Sequence, residues 1–155
     1  MSSIGKKNRN KLPAISSGET FLRRVSVSFY PDGQHPDKPK FDAFLPRRWR
    51  SDEDKGDHDG LSVSREWFTT IEKAAWNEGR KETHNVARVG HKAILSLDLT
   101  AIQDEQDHDL SHALIPQLNS VDYKDKAKKK AIKSKARELA FVHAEMVLIS
   151  LKSSN

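Results

Sequence analysis

Two periods alternate along this chain. In RRVSVSFYP, Val25, Val27 and Phe29 fall on one side and Ser26 and Ser28 on the other, the period of a half-buried strand. PDGQHPDKPK follows, and its prolines and glycine make it a loop. FDAFLP is a short apolar run stopped by Pro46, and LSVS is a further strand. SREWFTTIEKAAWNEG changes the period. With Ser64 as N-cap and Gly79 as stop, Trp67, Ile71, Ala74 and Ala75 take helical spacing and should form a buried face. NVARV and KAILSLDL are expected as strands, and SHALIP as a final strand ended by Pro116. From about Lys124 to Lys152 a single helix is expected. It places Ile132, Ala136, Leu139, His143, Met146 and Ser150 within roughly 80 degrees of one another on a wheel of about 100 degrees per residue.

These elements predict an α+β fold: a small mixed or antiparallel sheet of five to six short strands, packed with one short helix and one long C-terminal helix. Residues 1–19 lack periodicity and are expected to be a flexible basic arm, leaving 20–155 as a single α+β domain. A chain of 155 residues is long enough to bury one core. With 35% apolar and 32% charged residues it is polar for a globular protein, yet its apolar residues cluster, which favours an ordered domain with polar loops.

The absence of cysteine excludes disulfides, thiolate metal sites and cysteine nucleophiles. No apolar run of about 18 residues occurs, and the basic N-terminus lacks the h-region of a secretory signal, so a cytoplasmic location without membrane contact is the expectation. No cofactor motif is found.

The formal charge of +5 conceals an uneven distribution. Lys6, Lys7, Arg9, Lys11, Arg23 and Arg24 stand near the N-terminus against Glu19. A second group runs from Lys124 to Arg137 against Asp125. Two acidic loops, 52–59 and 104–109, separate them. On the wheel of the C-terminal helix, Lys126, Lys129, Lys130, Lys133 and Arg137 share an arc of about 100 degrees away from the apolar face, while Lys128 and Lys135 lie outside it. Such a stripe is either a solvated helix face or a track for phosphates, whose neutralisation releases counterions. Lysines would give little sequence preference.

LPRRWR, residues 45–50, is a second basic feature. Arg47, Arg48 and Arg50 surround Trp49, so guanidinium forks could meet phosphate or carboxylate while the indole stacks. The plain alternative is that Trp49 covers core and the arginines pair with Asp52, Glu53 and Asp54.

Metal chemistry is weakly indicated. His108 and His112 stand four apart with Asp104 nearby, but on a strand that spacing is about 13 Å and cannot share an ion, so no metal site is expected. His58, between Asp57 and Asp59, reads as a solvated loop residue, and His143 as a core histidine. The junction GDHDGLSVSR could be a simple turn into a strand, or could deliver Ser62, Ser64 and Arg65 to an anion pocket.

Phe44, Pro46 and Arg47, then Leu61, Ser62 and Val63, then His112, Ala113 and Ile115 ahead of a Lys/Ala-rich helix, make up a pattern F-x-P-R, L-S-V, H-A-x-I. Over residues 41–140 it resembles a family of small uncharacterised bacterial proteins. The resemblance implies a compact bacterial domain in a defence or mobile-element setting, and no defined activity.

Two functions follow. The preferred one is a non-catalytic module that contacts nucleic acid or an acidic protein surface with low specificity, within a larger assembly, through Arg47, Arg48, Trp49, Arg50, Lys126, Lys129, Lys130, Lys133 and Arg137 together with the arm. The alternative is a small nucleotide-binding or group-transfer enzyme with Arg47, Ser62, Arg65 and His112 converging from strand ends. Its order of arginine, serine and later polar residue loosely resembles ADP-ribosyltransferases, without their catalytic glutamate.

Overall fold

Six strands form one antiparallel sheet in the computed structural model, which describes residues 11–25, 38–48, 51, 56–78 and 81–147. They are β1 (Thr20–Val25), β2 (Leu61–Arg65), β5 (Asn85–Gly90), β6 (Ile102–Gln103), β7 (His112–Ile115) and β8 (Glu145–Val147), in the order β6-β7-β2-β1-β5-β8. A separate hairpin pairs β3 (Trp76–Asn77) with β4 (Glu82–Thr83). The helices are α1 (Ile71–Ala75), α2 (His91–Ser96) and the long α3 (Lys126–Glu138). The α+β architecture expected from the two periods is therefore present.

Alternation assigns the faces. In β2, Leu61, Val63 and Arg65 point inward, and Ser62 and Ser64 outward. The inward face joins Phe21 and Val25 of β1, Ala87 and Val89 of β5, and Ala113 and Ile115 of β7. Ile132 and Ala136 of α3 cover it, with Leu139, Ala140, Phe44, Ile94 and Leu118. Truncating one of these large side chains to alanine costs about 2–5 kcal/mol. The opposite face is covered at Leu22 and Val86 by Ala75 of α1. Its β2–β7 portion carries Ser62, Ser64, His112 and Leu114, all only half-buried.

Several expected elements differ. FDAFLP starts with a 3₁₀ turn over Phe41–Phe44, in which the two buried residues, Ala43 and Phe44, are adjacent and do not alternate. The helix expected from Ser64 is split. Arg65 still belongs to β2, Glu66–Phe68 is a 3₁₀ turn, Thr69 is extended, and α1 starts only after Thr70, whose hydroxyl accepts from the Lys73 N–H. Trp67 is consequently 59% exposed and not buried. KAILSLDL begins as a helix, not a strand: the helix spans His91–Ser96 with His91 and Ile94, three apart, as its buried residues, and Asp98 ends the turn at φ 58°.

The C-terminal helix is also shorter than its periodicity implied. After Glu138 a five-residue π-turn, Leu139–His143, closes with the Ala144 N–H donating to the Leu139 carbonyl at 2.7 Å. Glu145–Val147 then leaves as an edge strand on β5, so Met146 serves the sheet. His143 is half-buried in the π-turn. Ser150, Gly79, Val27 and Phe29 lie outside the described residues.

The segment expected to be an arm is described from Lys11, and there it is attached. The Lys11 and Leu12 N–H groups donate to the Glu105 carboxylate at 2.7 and 3.0 Å. His91 Nδ1 donates to the Ser16 carbonyl at 2.7 Å. Glu19, fully buried, closes a two-pronged pair with Arg65: Nε to Oε1 at 2.8 Å and Nη2 to Oε2 at 2.7 Å.

Candidate nucleic-acid interface

The loop that precedes β2 organises everything around it. Gly56 has φ 62° and Gly60 φ 137°, and each lies where a side chain has no room. A Cβ on Gly60 would stand 2.7 Å from the Ile115 carbonyl oxygen, and one on Gly56 would meet the carbonyls of Arg47 and Arg48. Between them Asp57 is a hub. Its carboxylate accepts from the Arg47 N–H at 2.5 Å, its own N–H donates to the Arg47 carbonyl at 3.1 Å, and its carbonyl accepts from the Ser120 N–H at 2.9 Å. Its charge also supports Arg23, whose guanidinium is pushed below its usual value by burial, an effect that Asp57 opposes. Arg23 in turn donates to the carbonyls of Ala43 and Ser62, each at 2.9 Å. The acidic turn ahead of LSVSR is thus a clamp joining four chain segments.

On one side of the clamp lies an open cavity of about 580 Å³ lined by Arg48, Ser120, Tyr123, Lys124, Lys126 and Lys129. Four of its six lining residues are cationic, and none is a carboxylate. Lys129 Nζ sits 5.0 Å from the centre of the Tyr123 ring. Burial raises the Tyr123 hydroxyl above its usual value, the charge of Asp42 adds to this, and Arg48 opposes it. The phenol stays neutral, leaving an aromatic surface among cations. The N-terminus of α3 is already capped, since Asp125 Oδ1 accepts from the Ala127 and Lys128 N–H groups at 2.9 and 3.2 Å. An anion here would be held by side chains.

The stripe continues from this cavity. Lys126, Lys130 and Arg137 are exposed, and Lys129 and Lys133 are half-buried, because the stripe runs beside the buried row of Ile132 and Ala136, not opposite it. The outermost positions are the small Ala127, Ala131 and Ser134. Among the described residues, none of the five stripe cations, nor Arg48, is in an ion pair. Lys128, outside the stripe, pairs with Asp122 at 3.5 Å. Arg137 lies 5.0 Å over the Phe41 ring. Arg47 is exposed, with its backbone held by Asp57. Trp49, Arg50, the acidic residues 52–54 and the arm cations Lys6, Lys7 and Arg9 lie outside the described residues.

On the other side of the clamp is a cavity of about 390 Å³ lined by Gly56, Asp57, His58, Asp59, Gly60, Ser62, Asp104, His112 and Leu114. Of the four residues expected to converge from strand ends, it gathers Ser62 and His112. Arg47 is absent from its lining, and Arg65 is on the opposite face of β2, locked to Glu19. His112 Nδ1 donates to Asp104 Oδ2 at 2.8 Å, and His58 Nδ1 lies 2.9 Å from Asp59 Oδ1. No group of three or more His, Asp or Glu side chains with metal-binding geometry occurs among the described residues.

Sequence reasoning did not single out Ser120, Tyr123 or Lys124 for the basic cavity, nor the hub role of Asp57. They belong to a turn after β7 and to a loop, and only tertiary contacts bring them together. No helix among the described residues is long and apolar enough to cross a membrane. Compared with protein-family models, curated proteins and solved structures, the chain matches none of them.

Proposed function

We propose that this chain is a non-catalytic module that binds nucleic acid through its phosphates, using the Arg48–Lys126–Lys129 cavity as entry point and the flank of α3 as track. The observation that carries this reading is the set of cations without an ion pair among the described residues, running from Arg48, Lys126 and Lys129 at the cavity through Lys130 and Lys133 to Arg137. Exposed lysines that merely keep a helix soluble need not converge on a cavity with an aromatic floor. Here Tyr123 supplies a face on which a base could stack, and stacking contributes about 1–3 kcal/mol per base.

Six cations reaching six phosphates would give log K against log salt a slope of roughly −5, so affinity would fall about a thousandfold between ~50 and ~200 mM salt. Fluorescence anisotropy with a labelled single strand and a labelled duplex measures this slope. Replacing Lys126, Lys129, Lys130 and Lys133 together by glutamine should flatten it by about 3 to 4 units. Failure to bind either strand form at ~50 mM salt would sink the reading, and an acidic protein surface would become the partner to test.

A further inference from the structure

We infer that the cavity formed by Ser62, Asp104 and His112 seats a base of a bound single strand, selecting bases that carry an exocyclic amino group. This rests on the nucleic-acid reading above. The two cavities share one wall. Asp57 lines the smaller one, and its carbonyl holds the N–H of Ser120, which lines the basic one; its N–H holds the carbonyl of Arg47, the residue before Arg48. A strand whose phosphate sits against Arg48 and Lys126 and passes over the Asp57 loop would meet, on its other side, a cavity of about 390 Å³, within the size range of small-ligand sites. Asp57, Asp59 and Asp104 repel a phosphate from that cavity, so the uncharged part of the nucleotide is what it can accept.

Its polar groups are biased toward accepting hydrogen bonds. A carboxylate only accepts, so the 2.8 Å contact between His112 and Asp104 places a proton on His112 Nδ1, and in that tautomer of the uncharged ring Nε2 is an acceptor. Asp104 Oδ2 takes both His112 and, at 3.0 Å, the Gln106 amide. Asp104 Oδ1 and the Ser62 hydroxyl have no partner among the described residues. Leu114, on the same face, offers an apolar surface. Two acceptors and a hydroxyl match the N–H₂ of adenine, cytosine or guanine. The carbonyl that replaces it in uracil would face a carboxylate.

Oligodeoxycytidine and oligodeoxyuridine of equal length differ in that group, and at the adjoining N3, which accepts in cytosine and carries a proton in uracil. The protein should bind the cytidine strand about tenfold more tightly at fixed salt, toward the low end of two-bond base discrimination. Asp104→Asn should bring the ratio close to one, because the amide can donate to the uracil carbonyl, while the salt slope stays unchanged. Ser62→Ala, with little change in size, should lower the ratio partway. Equal binding of both strands by the unmodified protein, or a ratio untouched by a folded Asp104→Asn variant, would overturn the inference alone. Absence of binding to either strand would sink it together with the reading it rests on.

Discussion

Arg65 and Arg48 carry the same guanidinium group into opposite surroundings. Arg65 is fully buried, held by two hydrogen bonds to Glu19, and stacked 4.6 Å over the Phe68 ring. Its Nη1 has no hydrogen-bond partner among the described residues. Arg48 is exposed at the rim of a cavity whose other charges are also positive. The difference teaches which cations fix the fold and which remain available. Inside, a charge must be answered by the chain itself, since desolvating it costs several kcal/mol. Outside, water screens it, and an incoming anion can replace the water.

The largest test of this contrast is at the buried pair. Glu19→Ala leaves Arg65 without its counter-charge and should destabilise the fold by about 3–5 kcal/mol, measured by urea unfolding. Glu19→Leu with Arg65→Met together should recover most of that loss, because an apolar pair of similar volume removes the desolvation penalty as well. A double variant no better than Glu19→Ala would mean that Arg65 is held chiefly by something other than Glu19.

The same pair predicts an acid response. Burial pushes the Glu19 carboxyl up, but the Arg65 and Ser16 hydrogen bonds and the charges of Arg65 and His91 outweigh it, leaving the carboxyl below its ordinary value near 4.5. Because the folded value is the lower one, the pair's contribution is fully present above the ordinary carboxyl range. It is lost as pH falls through that range toward the folded value. Unfolding free energy measured between about pH 6 and pH 3 should fall less steeply in Glu19→Gln than in the unmodified protein.

A smaller effect is expected at Gly60, where backbone and not charge is the issue. At φ 137°, with a Cβ forced to 2.7 Å from the Ile115 carbonyl oxygen, Gly60→Ala should cost about 1–3 kcal/mol. It should also disturb both cavities, because the clamp at Asp57 forms their common wall. Thermal unfolding with and without a bound oligonucleotide separates the two losses.

How much of this could be read from the chain depended on whether the signal was local. LSVSR was legible because strict alternation has one interpretation, and NVARVG and SHALIP because each is a short apolar run closed by glycine or proline. That alternation also contained the fate of Arg65: two residues beyond Val63, it falls on the inward face. KAILSLDL misled because a short apolar run suits strand and helix equally. The stop that decides it, Asp98 in a left-handed conformation, is a weaker signal than glycine. The end of α3 had no local signal. Neither glycine nor proline follows Glu138, and the helix yields because Glu145–Val147 gains a strand partner in β5. Of the candidate sites, the stripe on α3 followed from helical spacing alone. The basic cavity needed Tyr123 and Ser120 brought from elsewhere, and Glu19 was hidden among basic neighbours.

The finest test of the contrast compares lysines on one helix. Lys128 is paired with Asp122 at 3.5 Å with both partners substantially exposed, whereas Lys130 is exposed with no ion-pair partner among the described residues. If exposed pairs hold little energy, Lys128→Gln and Lys130→Gln should each change stability by no more than about 0.5 kcal/mol, and so be indistinguishable by unfolding. Binding should separate them. Lys130 lies on the stripe and its loss should lower the salt slope by close to one unit, while Lys128 lies outside it, is already partly neutralised, and should leave the slope almost unchanged. Equal slopes for the two variants would mean that the helix attracts polyanions as a diffuse cloud of charge, and that the seam beside Ile132 and Ala136 has no directing role.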